Sequence, residues 1–402
     1  MNWYYYVAVA AIFTQLVFVG QMVRHFFYAL SRYQKKRACY GPKTVLIVPC
    51  KGLESTFEKN ISSFFTQDYK DYLLWFVVAE ESDPAYEKLS QLKQQLNAES
   101  KAVDIQILIS GPSHECSQKI HNLLYAYQRI PGDVKVIAFA DSDICIRPNW
   151  LSRLVYPLRK KRIGVASGYR WFIPKENNLA SLALSAVNAT IAQLLGNTHF
   201  NQAWGGSMAV RTEVFREIGM DKIWPKSVSD DYALTVAIRK AGMRVAFVPG
   251  CLVASHESIT WAKLFEFARR QFLITRICSV NTWIFGLSSA IYSVLGLWGG
   301  AGMAIYAWKT QAEYLVLFTA VPIVFFVSLI GRAALRQLMA RRLLQEDRDQ
   351  MRVAMVADII LSWAWSLLML IFILSSAFGR TITWRGIKYK LVGPTETVIL
   401  KD

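Results

Sequence analysis

A stretch near the start of the chain, Trp3–Val23 (WYYYVAVAAIFTQLVFVGQMV), runs 21 residues without a charge. About 20 apolar residues in a helix span the hydrocarbon layer of a bilayer, and only a segment that closes its own backbone hydrogen bonds can lie there. A cleaved leader carries basic residues ahead of its apolar core. Here none precede it, and Arg24, Arg32, Lys35, Lys36, Arg37 and Lys43 follow. That asymmetry reads as an anchor with its C-terminal flank in the cytoplasm. Three more apolar stretches, 282–308, 314–331 and 353–378, close the chain. The segment 332–352 between the last two is rich in arginine and is expected as a cytoplasmic loop or a surface helix. The tail, 380–402, opens on RTITWRGIKYK. Four full spans would put it outside, whereas its basic and aromatic residues suit a cytoplasmic interface. One apolar stretch that is re-entrant or interfacial would reconcile the two.

These ends account for the composition. The chain is 53% hydrophobic and carries a net charge of +17; the charge falls largely beside the spans, which sets nucleic-acid binding aside. Asp358 is the one ionisable residue evident within the apolar stretches, so no polar translocation path is visible. Six cysteines (Cys39, Cys50, Cys116, Cys145, Cys251, Cys278) show no CxxC pair and read as free thiols in a reducing compartment.

The middle of the chain alternates strand and helix. KTVLIVPC (43–50) reads as a buried strand, then STFEKNISSFFTQ as a helix with Ser55 at its cap and Glu58 three residues on. LLWFVVAEE, DIQILIS and VKVIAFADSD follow as strands, with helices at 83–96 and 117–129 between them. Helices of that length imply parallel pairing, with ligands at the carboxyl ends of the strands. Acidic residues gather at those ends: Glu80, Glu81 and Asp83 after the second strand, Asp141 and Asp143 after the fourth. A D-x-D at a strand terminus can hold Mg2+ or Mn2+ through oxygen ligands while leaving positions for a diphosphate; a turn cap is the plainer reading. Asp230–Asp231 opens a helical pattern, where acids favour the dipole. Two adjacent acids exceed what capping needs, and one suits a general base. Two glycines in AWGGSMAVR mark a close approach of backbone to something else. Trp204 before them suits stacking on a ligand as well as core packing. His256 in VASHES suits a substrate or phosphate contact, although lone loop histidines are mostly structural; His114 and His121 carry less.

Read in order, P-x-K-G (Pro49, Lys51, Gly52), VAEESDPAY, QKIHNL, ADSDICI, GGSMAVR, SDDYAL and the basic helix FARRQFLITR resemble an inverting membrane glycosyltransferase of family 2 type with a GT-A fold. The nearest branch is the ceramide glucosyltransferases, glycosyltransferase family 21. The resemblance implies an α/β nucleotide-sugar-binding domain, mostly parallel sheet flanked by helices, with transmembrane helices at both ends. The implied division is an anchor at 1–24, a cytoplasmic catalytic domain at 25–258, an amphipathic interface helix at 259–280, a membrane region at 281–379 and the tail.

It also implies roles. Glu80, with Asp83 in the same loop, falls where the family contacts the nucleobase, a position usually held by Asp. Lys51, Lys119 and Asn122 lie near the nucleotide. Asp141 and Asp143 take the metal, Asp141 also the donor, and Asp231 is the base with Asp230 beside it. Where the family carries Q/R-x-x-R-W, this chain has ARRQF, with Gln271 and Phe272 in place of Arg-Trp. Arg269, Arg270 and Arg276 are left to supply charge to the leaving phosphate, and Phe272 to supply an aromatic platform for the acceptor. The implied reaction moves a hexose, glucose from UDP-glucose, onto a lipid hydroxyl with Mg2+ or Mn2+. A processive polysaccharide synthase and a non-catalytic nucleotide sensor are the competing readings.

Overall fold

Seven strands build the central sheet of the computed structural model: β1 (Thr44–Pro49), β2 (Tyr72–Val78), β3 (Asp104–Ile109), β4 (Val136–Ala140), β5 (Ile163–Pro174), β6 (Ser207–Arg211) and β7 (Arg244–Glu257). The structure describes residues 2–34, 40–113, 116–384 and 387–400. Lys35, Lys36, Arg37, Cys39 and His114 lie outside the described residues; Cys50, Cys145 and Cys278 are free thiols. The strand order is β3-β2-β1-β4-β6-β5-β7, and the first four pair in parallel as their spacing predicts. In β1, Leu46 and Val48 face one layer and Val45 and Ile47 the other, all fully buried. Burial on both faces is why such a strand reads as an unbroken apolar run. One layer comprises helices Phe57–Phe65, Pro84–Leu96 and Trp150–Val155; the other includes Gln118–Tyr127 and Asp230–Lys240.

Local signals at helix starts are mostly realised. Asp83 accepts from the Ala85 N–H, with Pro84 in the first turn, and Ser117 caps Gln118–Tyr127. Ser55 does not cap. The helix starts later, after Thr56, without a side-chain cap bond, and the Ser55 hydroxyl accepts from Lys175 Nζ at 3.4 Å.

β6, outside that parallel series, runs antiparallel to both β4 and β5. β5 extends past the sheet edge, and helix Leu179–Ala192 returns the chain from that far end. β6 therefore begins where β4 finishes, with Ser207 paired to Ala140. The two glycines before β6 are thereby carried to the D-x-D, and the Asp141 N–H donates to the Gly206 carbonyl at 3.4 Å.

β5 and β7 pair in parallel in two registers. Ser167 lies opposite Phe247, but Tyr169 lies opposite Leu252, so β7 bulges through Val248–Cys251. Gly168 sits at this step, where a Cβ would stand 2.1 Å from the Cys251 carbonyl oxygen. Beyond the bulge the pair forms a ribbon toward the apolar helices. Trp171, Ile173 and Leu252 pack with Ala29, Met339 and Leu343, and Phe172 packs with Ala183 and Phe372.

Among the described residues, three helices are long and apolar enough to cross a membrane: 3–34, Val280–Lys309 and Leu315–Leu343. The first belongs to helix Asn2–Gln34, which outruns the predicted anchor and reaches the sheet, where Tyr28 Oη donates to the Phe247 carbonyl at 3.1 Å. The last apolar stretch is not one rod. Arg352–Ile360 and Ser362–Ser375 meet at 84°, which makes this stretch the irregular one. The arginine-rich segment is not a loop throughout. Helix Leu315–Leu343 continues through it to Leu343, because Asp358 meets it side-on: Arg336 Nε donates to Asp358 Oδ2 at 2.7 Å, Arg336 Nη2 donates to Oδ1, and Gln337 Nε2 donates to Oδ2 at 2.7 Å. The tail is a three-stranded sheet, β8 (Thr381–Trp384), β9 (Ile387–Gly393) and β10 (Glu396–Leu400). Its Ile382, Tyr389 and Leu391 pack with Val228, Leu273 and Ile274.

Candidate active site

At the carboxyl end of β4 the chain turns, and Asp141 and Asp143 are each about a quarter exposed. Each meets a cation from a distant segment. Lys119 Nζ, in the first turn of Gln118–Tyr127, lies 2.7 Å from Asp141 Oδ1 and 3.2 Å from Asp230 Oδ2. Arg170 Nη2, on the ribbon of β5, lies 3.3 Å from Asp143 Oδ2 and 3.6 Å from Asp141 Oδ2. Its guanidinium carbon stands 4.8 Å from the Trp204 ring centre and 5.4 Å from that of Phe172. The result is a line of alternating charges: Asp143, Arg170, Asp141, Lys119, Asp230.

Asp230 and Asp231 open helix Asp230–Lys240, but Ser229 is its cap, accepting from the Tyr232 N–H. Asp231 shares that capping donor, and both aspartates make contacts beyond the helix. Asp231 Oδ2 accepts from the Gly205 N–H at 2.9 Å, and its Oδ1 accepts from the Tyr232 N–H at 2.7 Å and from the Ser229 hydroxyl. Gly205 is the close approach that the sequence implied: a Cβ there would stand 2.4 Å from Asp230 Oδ2 and 2.8 Å from Lys119 Nζ.

Burial sets the electrostatics. It pushes the Asp230 carboxyl up to about 6; Lys119 opposes the rise, and Asp231 and Asp141 add to it. Burial also works against the Lys119 charge, but Asp141 and Asp230 outweigh it and hold the ammonium above the ordinary lysine range. Arg170 is in the same position: burial opposes its charge, and Asp143 and Asp141 more than restore it. Glu257, at the end of β7, is raised by burial, against Lys175 and Arg170.

Among the described residues, no cluster of three or more His, Cys, Asp or Glu forms a ready-made metal cage. The donor set that exists is two partly exposed carboxylates, hard oxygen ligands with open sides. That fits Mg2+ or Mn2+ bound jointly with substrate phosphates, the usual way such ions are held.

Other expected residues are distributed unevenly around this point. Lys51 and Glu80 are exposed at the ends of β1 and β2. Asp83 is spent on structure, since its Oδ1 accepts from the N–H groups of Gly52 at 2.8 Å and Ala85 at 2.9 Å. Asn122 is buried, donating to the Val77 carbonyl at 3.1 Å and accepting from Ser110 Oγ and Gln118 Nε2; it ties loops together. His121 meets the Ser110 carbonyl. His256 lies 3.2 Å from Asp347, beside a cavity of about 430 Å3 lined also by Lys175, Asn177 and Gln350.

The basic helix, Trp261–Cys278, directs its arginines elsewhere. Arg269 donates to the carbonyls of Ser375 and Phe378, both at 3.1 Å, and Arg276 to those of Ala377 and Gly379. They cap the C-terminal end of Ser362–Ser375, where free carbonyls attract cations. Arg270 lies over the Phe267 ring at 5.6 Å. Phe272 packs among apolar residues with Phe372 and Trp365, and the Gln271 carbonyl accepts from Thr275. Arg170 is the site residue that sequence reasoning missed: GYRWF is an ordinary strand, with no signal that its arginine meets Asp143.

The sequence matches the profile of Glycosyl transferase family 21 over residues 4–396. The chain belongs to that family. Its mostly parallel sheet is accordingly a GT-A domain, and the protein is a nucleotide-sugar glycosyltransferase. Among solved structures, mannosyltransferase PcManGT from Pyrobaculum calidifontis, in complex with GDP-Man and Mn2+, is similar at 14% identity and TM-score 0.44, over 92% of this chain and 96% of that one. GalNAc-T7 with UDP, GalNAc and Mn2+ is similar at 13% and 0.37, over 71% of this chain and 55% of that one. Glucosyl-3-phosphoglycerate synthase from Mycobacterium tuberculosis, in complex with phosphoglyceric acid, is similar at 17% and 0.35, over 57% and 77%. At these scores the likenesses say nothing of what this family 21 chain binds.

Proposed function

We propose that this family 21 enzyme is a multi-pass membrane protein with its catalytic domain in the cytoplasm. It transfers glucose from UDP-glucose, with inversion, onto the hydroxyl of a membrane lipid such as ceramide or another glycolipid precursor. The observation that carries this reading is the setting of Asp231. Three donors fix its carboxylate, Lys119 and Asp230 join its helix start to the D-x-D, and Tyr232 next to it shares a 2.6 Å hydrogen bond with Thr275 of helix Trp261–Cys278. A base so held lies between the phosphate end of a donor and the helix that borders the apolar spans. Lipid acceptors arrive from that side.

Asp231 takes the proton of the acceptor hydroxyl as it attacks the anomeric carbon from the face opposite the leaving group. A carboxylate has about four lone-pair sites and three are occupied, so one remains for that proton. Asp141 and Asp143 would hold Mg2+ or Mn2+, which supplies positive charge to the departing UDP. Lys119 pairs with Asp141 and Asp230 and orients both carboxylates. Exposed Glu80 and Lys51 suit the nucleotide. Arg269 and Arg276, engaged with carbonyls, support the membrane face.

Membranes containing the enzyme, incubated with Mn2+ or Mg2+, labelled UDP-glucose and a panel of lipids, should move label into one lipid class. Asp231→Asn should lower that rate by about 10²–10⁴-fold, the usual worth of a positioned base. Long polymer from the wild type would favour the synthase. No transfer from any nucleotide sugar would sink the reading.

A further inference from the structure

Arg170 is held by the two carboxylates of the D-x-D, and its contacts are of an unusual kind. All three are long: 3.3 and 3.5 Å to the oxygens of Asp143 and 3.6 Å to Asp141 Oδ2. Good charge-assisted pairs close to about 2.8 Å. One nitrogen makes them all, while Nε is buried with no hydrogen-bond partner among the described residues. A guanidinium has five N–H donors in a rigid fork matched to carboxylates and phosphates, and here the fork is largely unfilled. The plane rests against Trp204 and Phe172, which hold the group at this spot without consuming its donors. The bulge at Gly168 fixes the strand that delivers it.

The oxygens it touches are those that a divalent ion would use. A cation bonded to Asp143 at about 2.1 Å would lie within a few ångströms of the guanidinium, and the two positive groups repel. A diphosphate reverses the sign, because its negative oxygens attract both. We propose that Arg170 is a donor-positioning residue that competes with the divalent cation for Asp141 and Asp143 while the diphosphate is absent, and binds the donor's diphosphate beside the cation once it is present. The inference rests on the donor reading above. It differs from a structural role in predicting effects of opposite sign.

The test uses the full chain in detergent micelles. Mn2+ affinity is measured by electron paramagnetic resonance without nucleotide, and UDP affinity by calorimetry at saturating Mn2+. Arg170→Gln should bind Mn2+ alone about tenfold more tightly and UDP about tenfold more weakly, each a decade or about 1.4 kcal/mol. Arg170→Lys keeps the charge without the fork, so it should resemble the wild type for Mn2+ alone and fall between the two for UDP. Thermal melts check that both variants are folded; were Arg170→Gln unfolded, the lysine variant's split would decide. Losses of both affinities together, or no change in either, would overturn the proposal while leaving the donor reading intact. A wild type that binds neither Mn2+ nor UDP would overturn both.

Discussion

Asp230 is the residue whose chemistry departs most from what its position in the chain suggests. In an unfolded chain an aspartate titrates near 4; burial raises Asp230 to about 6. A carboxyl raised on folding contributes stability that is fully present below the unfolded value and is lost as pH rises through the folded one. The window is therefore about pH 4–6, and Lys119, held above the ordinary lysine range, titrates far outside it. The melting temperature of the wild type, relative to Asp230→Asn, should fall as pH climbs across that window. A constant difference between the two proteins would contradict the assignment. The SDDYAL pattern exposed both acids to view, but not which is buried: Asp230 turns inward against Lys119, and Asp231 turns to the Gly205 N–H. Arg170 and Lys119 show the same limit. Each pairs with acids 22 to 27 residues away or more, and nothing in the flanking residues announces the pairing.

Among the elements, helix Leu315–Leu343 and the bent pair behind it carry the clearest stability argument. Arg336 and Asp358 are 5% and 1% exposed, joined by two hydrogen bonds with Gln337 as a third donor. Removing one partner of such a pair strands a buried charge and costs about 3–5 kcal/mol, whereas replacing both by apolar residues of similar volume is close to neutral. Asp358→Asn should lower the melting temperature in detergent sharply, and Arg336→Met with Asp358→Leu should restore most of it. A single variant as stable as the wild type would show the pair to be incidental. Asp358 was visible in the sequence as a lone charge within an apolar stretch; its partner was not, because Arg336 lay in a segment that reads as a basic loop.

For the whole molecule, the docking of the tail on the catalytic domain constrains how the chain threads the bilayer. Three continuous helices suit crossing, and the fourth stretch turns through 84°. A bent pair that entered and left on one face would return the tail to the side of the catalytic domain, and Tyr389 and Leu391 are buried against Val228, Leu273 and Ile274. Cysteines introduced at Thr397 and Lys240, both outside the buried core, should react together with a membrane-impermeant maleimide in one vesicle orientation. Reaction in opposite orientations would make the bent pair a full span. Shared reaction in one orientation would resolve the conflict noted in the sequence, four spans against a tail of interfacial composition, and it turns on an 84° bend that no hydropathy count contains.

The sequence by itself determined what is written in neighbouring residues. Unbroken apolar runs alternating with helices gave the parallel strands β1 to β4, Asp83 and Ser117 marked helix starts, and the D-x-D stood at a strand end because strand and turn are local patterns. Uncharged runs of membrane length marked helices long and apolar enough to cross a membrane. Tertiary structure alone decided the antiparallel entry of β6 that brings Gly205 to Asp230, the bulge that carries Arg170 to Asp143, and the bend at Leu361. It likewise turned Arg269 and Arg276 onto the carbonyls of residues 375–379. The physical reason is one of range. Propensity and periodicity act over a few residues, whereas the charges of this site are balanced between segments that meet only when the sheet and the helices have packed.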